Sequence, residues 1–356
     1  MMQVKKLFIV IGLLISLLVA LQEMTTPITH AQPPGGQSTP DTSGITQKWL
    51  DVPYNTASSA QKLDIYLPNE GTGPFPVIVS IHGGAFKSGD KNSGELTPML
   101  SGIARGYAVV SINYRLTGEA IWPAQINDVK AAIRFIKAHA STYKLNPNKI
   151  ATWGGSAGGH LAAMAGTSGG VTALAGSNPT NADQSDTVQA VVDWFGPINF
   201  ITMDEQWITL GVTNGQQHNP ATSPESILMG AAITTVPDKV KEANPETYIT
   251  ADDPPFFIQH GTADVLIPYL QSQDFYNKLN VVIGTDKVSL EFLQGAGHGT
   301  SEFSATANVS KTLDFLDKYL KADSATATPT PTVVSTATPT STVTFSVKIY
   351  LPIIIK

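Results

Sequence analysis

An α/β architecture, a mostly parallel sheet with helices on both faces, is predicted by three observations. Short apolar runs recur at residues 63–67, 77–81, 108–112, 149–153, 190–194, 256–259 and 288–292. Gly and Pro bound them, and apolar residues fill successive positions in most of them, as expected of strands buried on both faces. Helical patterns stand between them. Ile126, Val129, Ile133 and Ile136 repeat at the spacing of one helix face, as do Val309, Leu313, Leu316 and Leu320. Alternation of this kind lays crossover helices over parallel strand pairs.

The bulk composition sets the frame. The chain has 356 residues, 42% of them hydrophobic, enough for one large or two modest cores. Charged residues are only 14% and the formal net charge is -6, so no basic surface awaits phosphate backbones and nucleic acid is excluded as a partner. The chain has no cysteine, which removes disulfides, thiolate metal sites, a cysteine nucleophile and a lipidated cysteine together.

Both ends differ from the middle. Lys5 and Lys6 precede an apolar run over 7–21, and small residues follow around Ala31, the order of a secretory signal peptide over residues 1–31. An uncleaved anchor is the alternative reading, although the run is shorter than the roughly 20 residues a spanning helix needs. Residues 32–46 are rich in Pro, Gly, Ser and Thr and predict a flexible lead-in. The catalytic domain is expected over 47–322. A Thr/Pro stretch over 323–342 predicts an extended linker, and alternation of Val343, Phe345, Val347, Ile349 and Leu351 marks a short apolar tail over 343–356. An exported protein follows, secreted and with the tail as a candidate surface attachment; a disordered end is the other reading of the tail.

The pattern G-x-S-x-G occurs twice, around Ser156 and around Ser168. A nucleophile elbow needs a strand before it and a helix after it, so that a sharp turn lifts the hydroxyl above the sheet edge. Ser156 follows the strand run 149–153 and precedes the small-residue helix 157–165. Ser168 lies at the end of that helix in a Gly-rich loop, where a helix cap or turn is the better reading.

A serine hydroxyl attacks only when an imidazole takes its proton, and the imidazole needs a carboxylate to hold its tautomer. On this fold the chain order is Ser, then acid, then His. Of the seven histidines, His30, His82 and His139 precede the serine, His160 lies on the elbow helix, His218 sits in an irregular segment and His260 ends a strand. His298 remains, in a glycine-flanked loop after the last strand run. Asp264 lies on the loop after the run 256–259, whereas Asp252 and Asp253 precede that strand. The segment 198–253 lacks strand–helix alternation and is expected to border the site as an insertion. His82-Gly83-Gly84 directly follows the strand run 77–81, and its backbone N–H groups, with that of Ala157, are placed to face a bound oxyanion.

These residues carry a resemblance. His82 to Phe86 with Gly89-Asp90-Lys91, Asn113 to Leu116, Pro123 to Ile126 with Asp128 and Lys130, Gly155 to His160, and Pro254-Pro255 through His260-Gly261-Thr262 to Asp264 resemble the bifunctional feruloyl and acetylxylan esterase family, of the hormone-sensitive-lipase-like α/β-hydrolases. Leu63 to Pro68 and Trp194 to Pro197 fit it as well, and the likeness covers about residues 48–321. It implies a monomeric eight-stranded α/β-hydrolase domain that uses no cofactor or metal and cleaves small acyl esters, often of plant cell-wall polysaccharide. By motif its nucleophile, acid and base fall on Ser156, Asp264 and His298, and its oxyanion donors on Gly83, Gly84 and Ala157. Gly155 is a departure, because many relatives carry an acidic residue there.

Substrate signals are fewer. Trp122, Trp194 and Trp207 are candidates for stacking on sugar or aryl rings, with core packing the more common use of tryptophan. Within the same chemistry, an arylformamidase or a general short-chain carboxylesterase fits the same motifs. From another class, a non-enzymatic surface protein on a hydrolase scaffold is the alternative, against which the intact Ser156, His298 and Asp264 speak.

Overall fold

The computed structural model describes residues 39–177 and 179–321. Eight strands form one sheet: β1 (Lys48–Pro53), β2 (Lys62–Tyr66), β3 (Phe75–Ile81), β4 (Ala108–Ile112), β5 (Leu145–Gly155), β6 (Ala190–Trp194), β7 (Phe256–Gly261) and β8 (Val288–Leu293). Their order is β1-β2-β4-β3-β5-β6-β7-β8. The pairs β1/β2 and β2/β4 are antiparallel and the other five are parallel. The main helices are α1 (Ala124–Ala138), α2 (Ala157–Thr167), α3 (Met203–Leu210), α4 (Pro224–Met229), α5 (Pro237–Glu242), α6 (Leu270–Ile283) and α7 (Thr306–Leu320). This is the α/β-hydrolase architecture that the sequence predicts.

Alternation along the strands divides the interior in two. Val77, Val79 and Ile81 of β3 join Ile126, Val129 and Ile133 of α1, Leu161 of α2 and Phe275 and Leu279 of α6 in one core. Ile78 of the same strand joins Val109, Trp153 and Val192 in a second core, covered by Val309, Leu313 and Leu316 of α7. A strand whose two sets of side chains are both buried is apolar throughout, which is why these runs were legible. Strand β1 carries no such signal: it is a partly exposed edge strand with Leu50 53% exposed, and a bulge between Trp49 and Val52 breaks its period. Helix α6 is blurred likewise, because Val281 and Val282 face solvent while Phe275, Leu279 and Ile283 are buried.

Two expectations change. Residues 39–46 are less free than a flexible lead-in: Pro40 is buried, Ile45 packs on the second core and the Thr46 N–H donates to Asn69 Oδ1 at 2.9 Å. Trp122, Trp194 and Trp207 are 2%, 4% and 2% exposed, so all three are core residues and none offers a ring to a substrate. Residues 198–253 do form an irregular insertion, built from α3, α4, α5 and single helical turns. The signal peptide, the linker and the apolar tail lie outside the described residues. No helix among the described residues is long and apolar enough to cross a membrane.

Two buried carboxylates tie the scaffold to the loops. Asp128 on α1, 1% exposed, accepts from Gln61 Nε2 at 2.7 Å, from the Arg115 N–H at 2.9 Å and from the Arg115 guanidinium at 2.8 and 2.9 Å. Asp193, fully buried on β6, accepts only the Gly196 N–H, at 3.0 Å, among the described residues, and its Oδ2 has no partner among them. Burial pushes the Asp193 carboxyl up to about 7, against the opposing pull of that N–H.

Asp128→Ala strands the Arg115 charge and is expected to cost about 3–5 kcal/mol in urea unfolding. For Asp193 the folded state binds the proton more tightly than the unfolded chain, so its contribution to stability is full at low pH and is lost as pH rises through about 7. Asp193→Asn should therefore flatten the fall of Tm between pH 5 and 8 and be more stable than the wild type at pH 8; a variant with an unchanged pH dependence refutes this.

Candidate active site

The parallel strands deliver four loops to one edge of the sheet, at their carboxyl ends, where open α/β sheets place their sites. The loop after β3 begins at His82, that after β5 holds Ser156, that after β7 holds Asp264 and that after β8 holds His298.

Ser156 sits between β5 and α2 with φ 56° and ψ −125°, outside the comfortable regions for a residue with a side chain. Its N–H donates to Trp194 O at 2.9 Å, which pins the turn to β6. The turn closes because its neighbours have no side chains. A Cβ on Gly154 would lie 2.3 Å from the Gly158 carbonyl, and one on Gly158 would lie 2.0 Å from Ile81 O. Ala157 is the first residue of α2, so its N–H has no partner within the helix and lies at the positive end of the helix dipole. Gly155 also has a spatial reason: a Cβ there would meet the Phe195 ring at 2.9 Å. That ring, on a residue with φ 42°, stands edge-on to His298 at 4.7 Å between centroids. The Phe195 ring thus lies against Gly155, next to Ser156, and beside His298.

The three predicted residues meet. His298 Nε2 is 2.9 Å from Ser156 Oγ, and His298 Nδ1 is 2.7 Å from Asp264 Oδ2. Asp264 is buried, and its Oδ1 accepts the N–H groups of Leu266 at 2.8 Å and Ile267 at 2.9 Å. His260 Nε2 lies 3.3 Å from Asp264 Oδ2 as a further partner. Burial alone pushes the Asp264 carboxyl up, but His298 and His260 outweigh it and hold the group well below the usual carboxylate range. It stays ionised beside the imidazole.

The insertion secures this loop. The Gln216 N–H donates to Val265 O at 2.8 Å, and His218 sits between Glu225 at 2.9 Å and Leu266 O at 3.0 Å. Both ring nitrogens of His218 face acceptors, an arrangement that suits the imidazolium. Burial opposes that charge, yet Glu225 raises its proton affinity above the ordinary value. His160 is buried with Nδ1 2.7 Å from Pro197 O, and burial lowers it to about 4. It is a packed helix residue, as expected. Ser168 caps the end of α2, its Oγ donating to Met164 O at 2.5 Å.

The loop after β3 departs from expectation at one residue. Gly83, expected as an oxyanion donor, has its N–H committed to Glu95 Oε2 at 2.6 Å. The N–H groups of Gly84 and of its neighbour Ala85 have no acceptor among the described residues. Gly84, Ala85 and Phe86 have φ of 102°, 56° and 60°, a run of left-handed backbone that calls for restraint. Sequence reasoning missed Glu95 and Ala85. Glu95 lies 12 positions beyond Gly83 on the one-turn helix Gly94–Leu96, and no spacing rule connects them. A surface groove of about 210 Å³ between the turn Thr97–Leu100 and α7 includes none of these residues.

Known proteins share this layout. The BD-FAE family model matches residues 63–279. Among curated proteins, the chain is 35% identical over 241 residues to the probable carboxylic ester hydrolase LipM of Mycobacterium tuberculosis, covering 65% of this chain and 52% of that protein. It is 31% identical over 252 residues to the esterase LipQ of the same organism, covering 70% and 56%. The chain therefore spans about half the length of these relatives. Among solved structures, a bifunctional GH43-CE of Bacteroides eggerthii aligns with a TM-score of 0.68 at 37% identity, over 76% of this chain and 35% of that one. A truncated carbohydrate esterase from gut microbiota aligns with a TM-score of 0.70 at 33% identity, over 79% and 99%. With the strand order, the four loops and a family match over most of the sheet in agreement, the chain belongs to the BD-FAE family.

Proposed function

We propose that this chain is a serine carboxylic-ester hydrolase that cleaves small acyl esters through a covalent acyl-enzyme. The observation that carries the reading is the unbroken line from Asp264 through His298 to Ser156, with spacings of 2.7 and 2.9 Å. In this reading His298 Nε2 takes the Ser156 proton as Oγ attacks the acyl carbon, and Asp264 stabilises the imidazolium that results. The carbonyl oxygen becomes an oxyanion and accepts the N–H of Ala157 together with those of Gly84 and Ala85; Gly83 drops out of the donor set because Glu95 holds it. His298 then protonates the leaving alcohol. Water, deprotonated by the same imidazole, releases the acid and restores Ser156. Each oxyanion donor is worth about 10² to 10³ in rate.

Export and plant polysaccharide as the source of the acyl ester are the finer part of the proposal. The charged-then-apolar N-terminus supports export. Likeness to a bifunctional GH43-CE and to a carbohydrate esterase supports an ester carried on carbohydrate as the bond cleaved, and the family resemblance of the motifs narrows the acyl group to acetyl or feruloyl.

Ser156→Ala is expected to lower kcat for p-nitrophenyl acetate by at least about 10⁴, with Tm nearly unchanged. A fluorophosphonate should label the wild type at Ser156 and leave the variant unlabelled; a wild-type protein that resists labelling refutes the serine mechanism. Substrate class is tested by comparing acetylated xylan, methyl ferulate, p-nitrophenyl esters of increasing chain length and N-formylkynurenine. The carbohydrate reading requires kcat/KM on the first two to exceed that on N-formylkynurenine.

A further inference from the structure

We propose that Glu95 is a positioning residue: its carboxylate, with the Tyr114 hydroxyl, clamps the peptide between His82 and Gly83 so that the next two N–H groups turn toward the substrate oxygen. The inference rests on the reading of Ser156 as the nucleophile.

The two ends of that peptide are held by different elements. Its N–H donates to Glu95 Oε2 at 2.6 Å, and its C=O accepts the Tyr114 hydroxyl at 3.0 Å. Tyr114 is buried, and its ring stacks on His82 at 4.4 Å with 14° between planes. A planar peptide gripped at both its donor and its acceptor cannot rotate about the chain. The carboxylate is also laid along the glycine: a Cβ on Gly83 would meet Oε2 at 3.1 Å, Oε1 at 3.2 Å and Gly155 O at 2.9 Å. Glu95, the loop and the nucleophile's own neighbour thus meet at one point.

The following peptides inherit this orientation. His82 Nδ1 faces Gly83 O at 2.8 Å and so carries its proton. Because C=O and N–H of a trans peptide point in opposite directions, the Gly84 N–H is directed away from the His82 ring. Gly84 O accepts from the Ser88 N–H at 3.0 Å and from Ser88 Oγ at 3.1 Å, which directs the Ala85 N–H to the other side. Glu95 grips the start of this sequence, at the one of its three peptides whose N–H is bonded among the described residues.

Burial holds the Glu95 carboxyl above its usual range, against the opposing pull of the Gly83 N–H and of His298.

Steady-state hydrolysis of p-nitrophenyl acetate and hydrogen exchange across residues 82–89 test the clamp. Glu95→Ala should lower kcat about 10- to 100-fold with KM changed less than about threefold, and should speed exchange in this loop. Glu95→Gln retains an acceptor for the Gly83 N–H and should recover most of the lost kcat. Tyr114→Phe, which frees the other end of the same peptide, should lower kcat about tenfold with KM unmoved, and it decides the matter if Glu95→Ala does not fold. A wild-type kcat in Glu95→Ala, a loss confined to KM, or a Gln variant no better than Ala overturns the proposal, as does unchanged exchange in the loop. Exchange needs no turnover, so a wild type lacking Ser156-dependent hydrolysis would refute the esterase reading while the clamp itself is still decided.

Discussion

Where α2 begins, two backbones approach until no side chain fits between them: Gly158 lies against the carbonyl of Ile81 at the end of β3. That contact joins the elbow to the loop that starts at His82, so Ser156 and the N–H groups of Gly84 and Ala85, unbonded among the described residues, share one rigid origin. The positive φ of Ser156 is sustained by the same crowding, together with the bond from its N–H to Trp194 O. Strain of this kind persists only where surrounding structure over-determines it. Here β3, β5, β6 and α2 all bear on a turn of a few residues.

On the other side of the site the restraint is polar instead of steric. The Asp264 loop is short, and its geometry depends on the insertion, where the His218 and Glu225 pair reaches Leu266. The irregular segment therefore has a positive role: it lends order to a loop the sheet alone leaves loose. Buried charges are costly unless paired and hydrogen-bonded, and each of these meets that condition.

What could be read from the chain follows from physical periodicity. Strands β2 to β7 announced themselves because both faces are buried, β8 because Val288, Leu290 and Phe292 alternate with polar residues, and α1 and α7 because each shows a single apolar stripe. Edge strand β1 and helix α6 did not, since exposed Leu50, Val281 and Val282 erase the contrast that periodicity relies on. Ser156, His298 and Asp264 were legible because chain order and strand–loop context left few candidates, and the residues so chosen lie within hydrogen-bond distance. Gly83 was misassigned because glycine content says that a backbone can approach a ligand but not which N–H is free. That depends on Glu95, a partner supplied by the fold. The tryptophans were ambiguous for a related reason: ring chemistry is the same in a core and on a surface, and only burial separates them.

Asp264 is fastened by two backbone amides on one oxygen and by the His298 imidazole on the other, with His260 Nε2 3.3 Å away. Such a carboxylate is a fixed pivot. In the proposed cycle, where His298 carries a proton first from the serine and later to an alcohol, the imidazole has only to tilt about that pivot while the acid stays in place. It follows that the catalytic distance is not adjustable from the acid's side. A longer carboxylate would displace these contacts, so under the proposed function any retuning toward bulkier esters has to come through Phe195 or the His82 loop.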